Sequence, residues 1–116
     1  MPPERVVASN DLAYAIKDGF PVTEGHVLVI PKRHTIDFFG LTNDELIGCN
    51  QLLKELRSTI VAQDQHVIGF KLGMNAGVVA GQTIFHCHIH LIPRREGDLE
   101  NARGGVRHTI PGKGFY

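Results

Sequence analysis

The stretch "TIFHCHIHLIP" (residues 83–93) alternates histidine with apolar residues and ends at a proline. Its histidines, His86, His88 and His90, stand at every second position. Successive side chains of an extended strand point to opposite faces, so one β-strand here would present all three imidazoles on the same face. With 7 histidines in 116 residues, chance predicts only ~0.02 matches to this spacing. The pattern therefore indicates a functional site.

The chain before this stretch predicts three strands and one long helix. Strands are expected over residues 5–9, 12–18 and 26–31, with Pro31 closing the third because proline cannot donate to a sheet ladder. Thr42 and Glu45 match a capping box, so a helix is predicted from about Thr42 to Gln63. Its apolar residues recur at three- and four-residue steps and predict a face that packs on the sheet: Leu46, Cys49, Leu53, Leu56 and Ile60.

Two more strands and a tail complete the predicted fold. Residues 66–75 indicate a strand, residues 76–82 a glycine-rich connection, and residues 83–93 the longest strand. Glycine, proline and charged residues predict an irregular tail over about 94–116. We therefore expect a single domain over 1–116 of the α+β class, with a mostly antiparallel sheet and one main helix.

Charge and composition exclude several classes of function. The 12 Lys and Arg residues balance the 12 Asp and Glu residues, which predicts no binding to nucleic acid or to anionic membranes. No apolar run is long enough to span a bilayer, and residues 1–10 lack the apolar core of a secretory signal. Cys49 and Cys87 lie in apolar patterns without a Cys-x-x-Cys motif and are expected to be buried hydrophobes. A soluble, cytoplasmic protein is expected.

Several separated segments resemble the signature of the histidine triad superfamily. Residues 85–92 match its His-φ-His-φ-His-φ-φ pattern, where φ is apolar, and Asn75-Ala-Gly and Gly81-Gln82-Thr83 precede the pattern as in that superfamily. Residues 12–34 are similar to the superfamily's N-terminal half. The resemblance runs from about Asp11 to Pro93 and covers most of the chain.

The resemblance implies a covalent mechanism. In this superfamily the middle histidine attacks the α-phosphorus of a nucleotide and forms a nucleotidyl-histidine, which water or another acceptor then resolves. That histidine is His88 here, and a neutral imidazole near pH 7 suits the role. The resemblance also implies that His86 supports the orientation of His88, that His90 helps to bind phosphate oxygens, and that His26 is a fourth active-site histidine. Some other group must fix the tautomer of His88, and the sequence does not identify it.

Further residues are implied to contact the phosphate. By resemblance, Thr83 relays a proton, Gln82 contacts bridging or leaving oxygens, and Asn75 holds a phosphate oxygen. Such groups act by positioning and by preorganised electrostatics.

The nucleoside would bind beside them. Asp18 matches the ribose-binding position, where a carboxylate accepts two hydrogen bonds from vicinal hydroxyls. Ile16 and Leu28 would form an apolar slot for a purine, with adenine, and hence adenosine, as the default.

No dedicated metal or other cofactor is expected. The glycine-rich segment lacks the Gly-Lys-Ser/Thr of a Walker A loop, although a divalent metal arriving with the substrate is compatible with the pattern. Two alternatives stay open. One is a zinc-dependent hydrolase with the three histidines as ligands, against which the sequence offers no obvious carboxylates to fix the outer ring nitrogens. The other is a nucleotide-binding module of low turnover.

Substrate and assembly are the least determined features. The candidates are dinucleoside polyphosphates, nucleoside phosphoramidates and nucleotidyl transfer to an acceptor other than water. Basic residues that could reach extra phosphates favour the first: Lys32, Arg33, Arg94, Arg95, Arg103 and Arg107. Superfamily members are commonly symmetric homodimers, so a homodimer through the helix or a sheet edge is expected. Three histidines are expected to be surface or local structural residues: His34, His66 and His108.

Overall fold

The computed structural model describes residues 5–114. It contains five strands, β1 (Val6–Ser9), β2 (Ala13–Lys17), β3 (Val27–Pro31), β4 (Val67–Gly73) and β5 (Ile89–Arg95), and one long helix, α1 (Asn43–Gln63). The strands form one sheet in the order β1-β2-β3-β5-β4, and every neighbouring pair is antiparallel. The predicted α+β architecture is confirmed.

Helix α1 begins where the capping box predicts. Thr42 Oγ1 accepts the backbone N–H of Glu45 at 3.1 Å, and Glu45 Oε1 accepts the backbone N–H of Thr42 at 2.8 Å. Two backbone donors that would otherwise lack helical partners are thus satisfied by side chains.

The predicted buried face of α1 is only partly right. Leu52 was not among the predicted core residues, yet it is 0% exposed, whereas Leu46 is 40% exposed. The helix crosses β2 and β3, and this orientation turns Leu46 outward. The buried apolar residues of α1 that join the core are Cys49, Leu52 and Leu56.

The two faces of the sheet have different environments. The face toward α1 carries a row of small and branched apolar residues in the core: Ala13, Ala15, Val27, Val29, Ile89 and Leu91. On the opposite face Ile16 pairs with Leu28, and Leu28 pairs with His90. Directly opposed residues on neighbouring strands share a face, so two predicted base-binding residues and one predicted catalytic histidine form a single cross-strand row.

The predicted strand over residues 83–93 is wrong at its start. Strand β5 begins at Ile89, so His90 lies in the ladder and His86 and His88 precede it. The pairing of β5 with β3 ends at Ile89, opposite Val29. The carbonyl of Pro31, the last residue of β3, accepts a hydrogen bond from His86 Nε2 at 2.9 Å. Cys87 N–H donates instead to the carbonyl of Thr35 at 2.7 Å. The alternation nonetheless persists, since Cys87 is buried while its two histidine neighbours are half-buried.

The end of that strand is also later than predicted. Strand β5 continues through Pro93 to Arg95, so the irregular tail begins at residue 96 rather than at 94. Pro93 pairs with Phe70 of β4, whereas the pairing with β3 reaches only Leu91. Proline is tolerated where no ladder partner needs its N–H.

The tail is largely irregular, as predicted. Residues 96–114 form turns and bends around one short 3₁₀ helix, Gly105–Thr109. Residues 115 and 116 of the predicted tail lie outside the described part of the chain. Within residues 5–114 no helix combines the length and the hydropathy needed to cross a bilayer.

Both cysteines are buried free thiols, as predicted. Burial raises the pKa of Cys49, and burial is also the main cause that raises the pKa of Cys87 to about 11. A buried thiol with a raised pKa stays protonated near neutral pH and is a poor nucleophile. Cys87 is therefore a packing residue, although it lies between two active-site candidates.

Candidate active site

A cleft of about 610 Å³ lies on the sheet face opposite α1. The predicted site residues converge there even though they come from four separate parts of the chain. All of them except His26 line the cleft: Ile16, Asp18, Leu28, Asn75, Gln82, Thr83, His86, His88 and His90.

His88 is held in one tautomer by the backbone. Its Nδ1 lies 2.8 Å from the carbonyl oxygen of His86. A carbonyl only accepts hydrogen bonds, so Nδ1 carries the proton and Nε2 of the neutral ring has a lone pair. Among residues 5–114, no protein group forms a hydrogen bond with that Nε2. The group that fixes the tautomer is thus the main chain of the neighbouring histidine.

His86 is itself fixed on two sides. Its Nε2–H donates to the carbonyl of Pro31 at 2.9 Å. The ring of His34 packs edge-on against it, with ring centroids 5.1 Å apart and an interplanar angle of 60°. His34 was expected to be a surface residue or a local structural residue; it is exposed, but it touches the site.

His26 lies beneath the cleft and sets the tautomer of His90. The backbone N–H of Val22 donates to His26 Nδ1 at 3.1 Å, so that nitrogen carries no proton. His26 Nε2–H then donates to His90 Nδ1 at 2.9 Å. His90 consequently has its own proton on Nε2. The two cleft histidines therefore differ, because His88 offers a lone pair at Nε2 and His90 offers an N–H.

Burial keeps this second pair of histidines neutral. It lowers the pKa of His26, and the nearby Asp18 only partly opposes the shift. Burial also lowers the pKa of His90, with smaller contributions in the same direction from His26 and His88. Desolvation disfavours the charged form of an imidazole. Near pH 7 His90 is accordingly a neutral hydrogen-bond donor.

Asp18 has both a local and a cleft-facing contact. Its Oδ1 accepts the backbone N–H of Phe20 at 2.7 Å, which is the turn contact typical of an aspartate followed by glycine. Its Oδ2 lies 3.4 Å from His26 Nε2 and 3.8 Å from His90 Nδ1. The carboxylate is thus anchored at the point where the cleft meets the buried histidine pair.

Gln82 lines the cleft but uses its amide to hold loops together. Its Oε1 accepts the N–H of Gly77 at 2.8 Å, and its Nε2 donates to the carbonyls of Ile36 at 2.7 Å and Ile84 at 3.2 Å. Its predicted contact with substrate oxygens stays a prediction. The loop that it holds turns sharply, since Gly77 and Gly81 both have φ near +97°, a region that favours glycine.

At least four of the six basic residues expected to reach extra phosphates have protein partners. Arg33 makes a bidentate pair with Glu45 at 2.8 and 2.9 Å. Arg94 makes a similar pair with Asp98, with both distances 2.7 Å. The remaining contacts are Arg95 with Asp64 at 2.8 Å and Arg107 with the carbonyl of Lys113 at 3.1 Å. Because these guanidinium groups bind other parts of the protein, they no longer support a polyphosphate as the substrate.

The sequence prediction missed part of the cleft wall. Tyr14 and Ile30 line it beside the predicted Ile16 and Leu28, and they form a directly opposed pair on β2 and β3. Each lies two positions from a predicted residue, so strand alternation is a signal that would have found them. Phe20 also lines the cleft and is 91% exposed, but nothing in its turn sequence indicated this.

The residues best placed to hold a metal are not the three histidines of the triad. Within residues 5–114, the metal-type donors that converge belong to Asp18, His26 and His90, whose atoms lie within 4.8 Å of one another. His26 fits an ion poorly, because the Val22 N–H occupies the lone pair of Nδ1 and leaves the proton on Nε2. A cation there would have to displace that proton. The geometry favours a hydrogen-bonded histidine pair over a metal site.

Comparison with known proteins identifies the family. A family model described as the HIT domain matches residues 2–97. The chain belongs to the HIT family. The predicted membership in the histidine triad superfamily is therefore confirmed.

Relatives of the HIT chain include proteins of known and unknown activity. An uncharacterised HIT-like protein from Mycoplasma pneumoniae is 38% identical over 93 residues, covering 80% of this chain and 64% of that protein. A bis(5′-adenosyl)-triphosphatase from Dictyostelium discoideum is 37% identical, covering 80% of this chain and 62% of that protein. The chain thus spans somewhat less than two thirds of the length of either relative.

The fold agrees with solved HIT structures. A crystal structure of a hypothetical histidine triad nucleotide-binding protein from Sulfolobus tokodaii superimposes with a TM-score of 0.74 at 36% identity. The match covers 80% of this chain and 62% of that one. The five-stranded antiparallel sheet with one main helix is therefore the architecture expected for the family.

Proposed function

We propose that this HIT protein hydrolyses a (di)nucleoside polyphosphate or a nucleoside phosphoramidate at its α-phosphorus. The observation that carries the proposal is the hydrogen bond of 2.8 Å from His88 Nδ1 to the His86 carbonyl. It leaves an unprotonated Nε2 on a histidine that lines the cleft. The similarity to a relative named as a diadenosine triphosphatase supports a nucleotide as substrate.

Two displacements complete the reaction. In the first, His88 Nε2 forms a bond to the α-phosphorus while the bond to the leaving group breaks. The leaving group takes a proton from solvent, and the proposed relay for that proton is Thr83, which lines the cleft. In the second, water attacks the same phosphorus, the P–N bond breaks, and a nucleoside monophosphate is released. Splitting one displacement into two lowers each barrier.

The surrounding groups supply donors for the phosphate charge. His90 Nε2–H offers a neutral donor, because His26 holds the other ring nitrogen at 2.9 Å. Asn75 is exposed at the cleft and offers an amide to a phosphate oxygen. Donors that are in place before the charge develops are the most effective form of electrostatic stabilisation.

The nucleoside is proposed to lie along β2 and β3. The Asp18 carboxylate has acceptor positions beyond its hydrogen bond to Phe20 and its contact with His26, and these suit the ribose hydroxyls. Ile16 and Leu28 stand directly opposite each other and would flank the base. A purine, with adenine as the default, fits such an aliphatic slot.

No metal is required in this proposal, and the triad is not used as a zinc ligand set. His86 Nε2 and His88 Nδ1 are both committed to backbone carbonyls. A divalent ion would enter with the phosphates of the substrate, as it does in many phosphoryl-transfer reactions. Full activity in the presence of EDTA supports this part, whereas activity lost to EDTA and restored by zinc contradicts it.

A symmetric homodimer is the proposed assembly. Strand β4 is an edge strand of the sheet, and such edges offer unpaired backbone groups to a partner. Exposed apolar residues lie on α1, on β4 and directly after β4: Leu46, Ile47, Val61, Ile68, Leu72 and Met74. Sedimentation should give twice the 12.8 kDa chain mass, and Leu72→Lys should shift it to the monomer. A monomeric wild type contradicts the proposal.

The proposed compartment is the cytoplasm. Two free buried cysteines without a disulfide suit a reducing environment. Fractionation of cells with an antibody against the protein tests this, and recovery from a secreted fraction contradicts it.

The central experiment compares wild type with His88→Asn, in EDTA, on diadenosine tetraphosphate and on an adenosine phosphoramidate. The variant should lose ~10⁴-fold or more in kcat, because no other group replaces the nucleophile. His66→Asn, which changes an exposed histidine outside the cleft, is the matched control and should retain activity. Wild-type binding of AMP without turnover of either substrate would favour the low-turnover binding module.

A further inference from the structure

The segment that carries the catalytic histidines is fastened to the loop that follows β3. His86 and His88 lie outside the sheet ladder, so ladder hydrogen bonds do not fix them. Three hydrogen bonds replace the ladder: His86 Nε2 to Pro31 O at 2.9 Å, Cys87 N to Thr35 O at 2.7 Å, and Gln82 Nε2 to Ile36 O at 2.7 Å.

That loop is rigidly attached to the rest of the protein. Arg33 forms its bidentate pair with the buried Glu45 in the first turn of α1 and also donates to the carbonyl of Gly40 at 2.7 Å. The same Glu45 completes the capping box of the helix. A bidentate arginine–carboxylate pair fixes geometry in addition to providing energy. The loop that binds the histidine segment is therefore itself fixed to the first turn of α1.

His34 is the loop residue whose side chain reaches the triad. Its ring packs against the ring of His86 at a centroid distance of 5.1 Å and an angle of 60°, the edge-to-face arrangement that aromatic rings prefer. The carbonyl of the same His86 is the group that fixes the tautomer of His88. A change in the orientation of His86 is thus transmitted directly to the nucleophile.

We propose that His34 is a positioning residue, which through ring packing holds His86 so that its carbonyl keeps His88 in the Nδ1–H tautomer. The kinetic consequence rests on the proposed function of His88, whereas the tautomer itself does not. Loss of the packing lets the His86 carbonyl move, and His88 then also populates the Nε2–H tautomer, which cannot attack phosphorus. Small misplacements of a catalytic group have large effects on rate.

The test uses the full chain and three variants: His34→Ala, His34→Phe and His66→Ala. The side-chain ¹⁵N shifts of His88 report its tautomer directly, in the absence of substrate. Wild type and His66→Ala should show the Nδ1–H form, and His34→Ala should show a mixture. Phenylalanine restores an aromatic edge without ring nitrogens, so His34→Phe should return His88 to the Nδ1–H form. Thermal unfolding of each variant checks that it is folded, which is expected because His34 is exposed.

The kinetic measurement adds a second readout. His34→Ala should lower kcat about tenfold or more while KM changes less than about twofold, and His34→Phe should recover most of the loss. A pure Nδ1–H form of His88 in His34→Ala overturns the proposal, and so does a His34→Phe variant as impaired as His34→Ala. If wild type cleaves no nucleotide, the proposed hydrolase function fails, and the ¹⁵N shifts still decide the role of His34.

Discussion

The two pairs of histidines at this site are held in different ways. His86 and His88 lie outside the ladder, and each donates one ring N–H to a main-chain carbonyl. His26 and His90 are joined ring to ring at 2.9 Å, with Asp18 beside them. The acceptors of the first pair are carbonyl groups, which do not titrate. The second pair depends on the protonation of side chains, so its properties change with pH.

Because of this difference, His88 and His90 present opposite hydrogen-bonding properties to the cleft. His88 presents a lone pair at Nε2 because its Nδ1 donates to a carbonyl. His90 presents an N–H at Nε2 because its Nδ1 accepts from His26. Their partners thus give one imidazole a free lone pair and the other an N–H, which are the properties that the proposed nucleophile and the proposed phosphate donor need. Four predictions test how far this division holds.

The largest effect is expected for His90→Asn. The variant loses the Nε2–H donor in the cleft, while its side-chain oxygen can still accept from His26 Nε2–H. The loss of the donor should lower kcat ~10²- to 10⁴-fold. Unlike His88→Asn, it keeps the nucleophile and should still form the nucleotidyl-histidine slowly. Rapid acid quench with labelled substrate measures this. Complete absence of the labelled intermediate would show that the two histidines are not divided in this way.

Removing His26 should have a smaller effect. His26→Ala removes the N–H that donates to His90 Nδ1. His90 can then adopt the other tautomer and direct a lone pair at the phosphate, so kcat should fall about tenfold. His26→Gln retains an N–H donor and should recover part of the loss. Steady-state kinetics of both variants provide the measurement. Equal losses in the two would mean that donation to His90 is not what His26 contributes.

Stability should fall as the pH is lowered below about 6.5. The pKa values of His26 and His90 are lowered from 6.5 in the folded protein. Between 6.5 and the lowered values the unfolded chain binds more protons than the folded chain, so acid favours unfolding there. Below the lowered values no further loss arises from these two rings.

Urea unfolding at several pH values between 5 and 7.5 measures this dependence. The interval avoids the carboxylate of Glu45, whose pKa is lowered to about 2 mainly by its hydrogen bonds with Arg33. His26→Gln lacks one of the two rings and should show a shallower decline. A wild-type free energy of unfolding that is constant over this interval would contradict the predicted burial of neutral rings.

The smallest effect is expected for Arg94→Gln. Its guanidinium is bound to Asp98 at 2.7 Å, so it should contribute little to binding extra phosphates. KM for diadenosine tetraphosphate should change less than about twofold, since the ion pair is local and contributes little at a surface. Lys71→Gln, which changes a half-buried cation on β4, is a useful comparison. A large increase in KM for Arg94→Gln, without one for Lys71→Gln, would indicate that Arg94 binds a phosphate of the substrate after all.

Much of this protein follows from local patterns in the sequence. The capping box of Thr42 and Glu45 placed the start of α1 correctly, because both partners lie within one helical turn. Strand-forming runs bounded by turn residues predicted the five strands, although β5 begins and ends later than predicted. The order of the separated motifs predicted the HIT family, which the match over residues 2–97 confirms.

Only the tertiary structure decided how the histidines are held. The alternation in residues 83–93 predicts one strand, but the ladder begins at Ile89, opposite Val29, and His86 and His88 precede it. His86 binds Pro31 and His90 binds His26, residues 55 and 64 positions away, and no local pattern brings these together. The acceptor for His88 is the carbonyl two residues before it. The structure likewise showed that Arg33 and Arg94 form ion pairs with Glu45 and Asp98, which the sequence analysis did not predict. Sequence periodicity specifies which side chains share a face, whereas the ring protonation of His86 and His90 depends on contacts between distant segments.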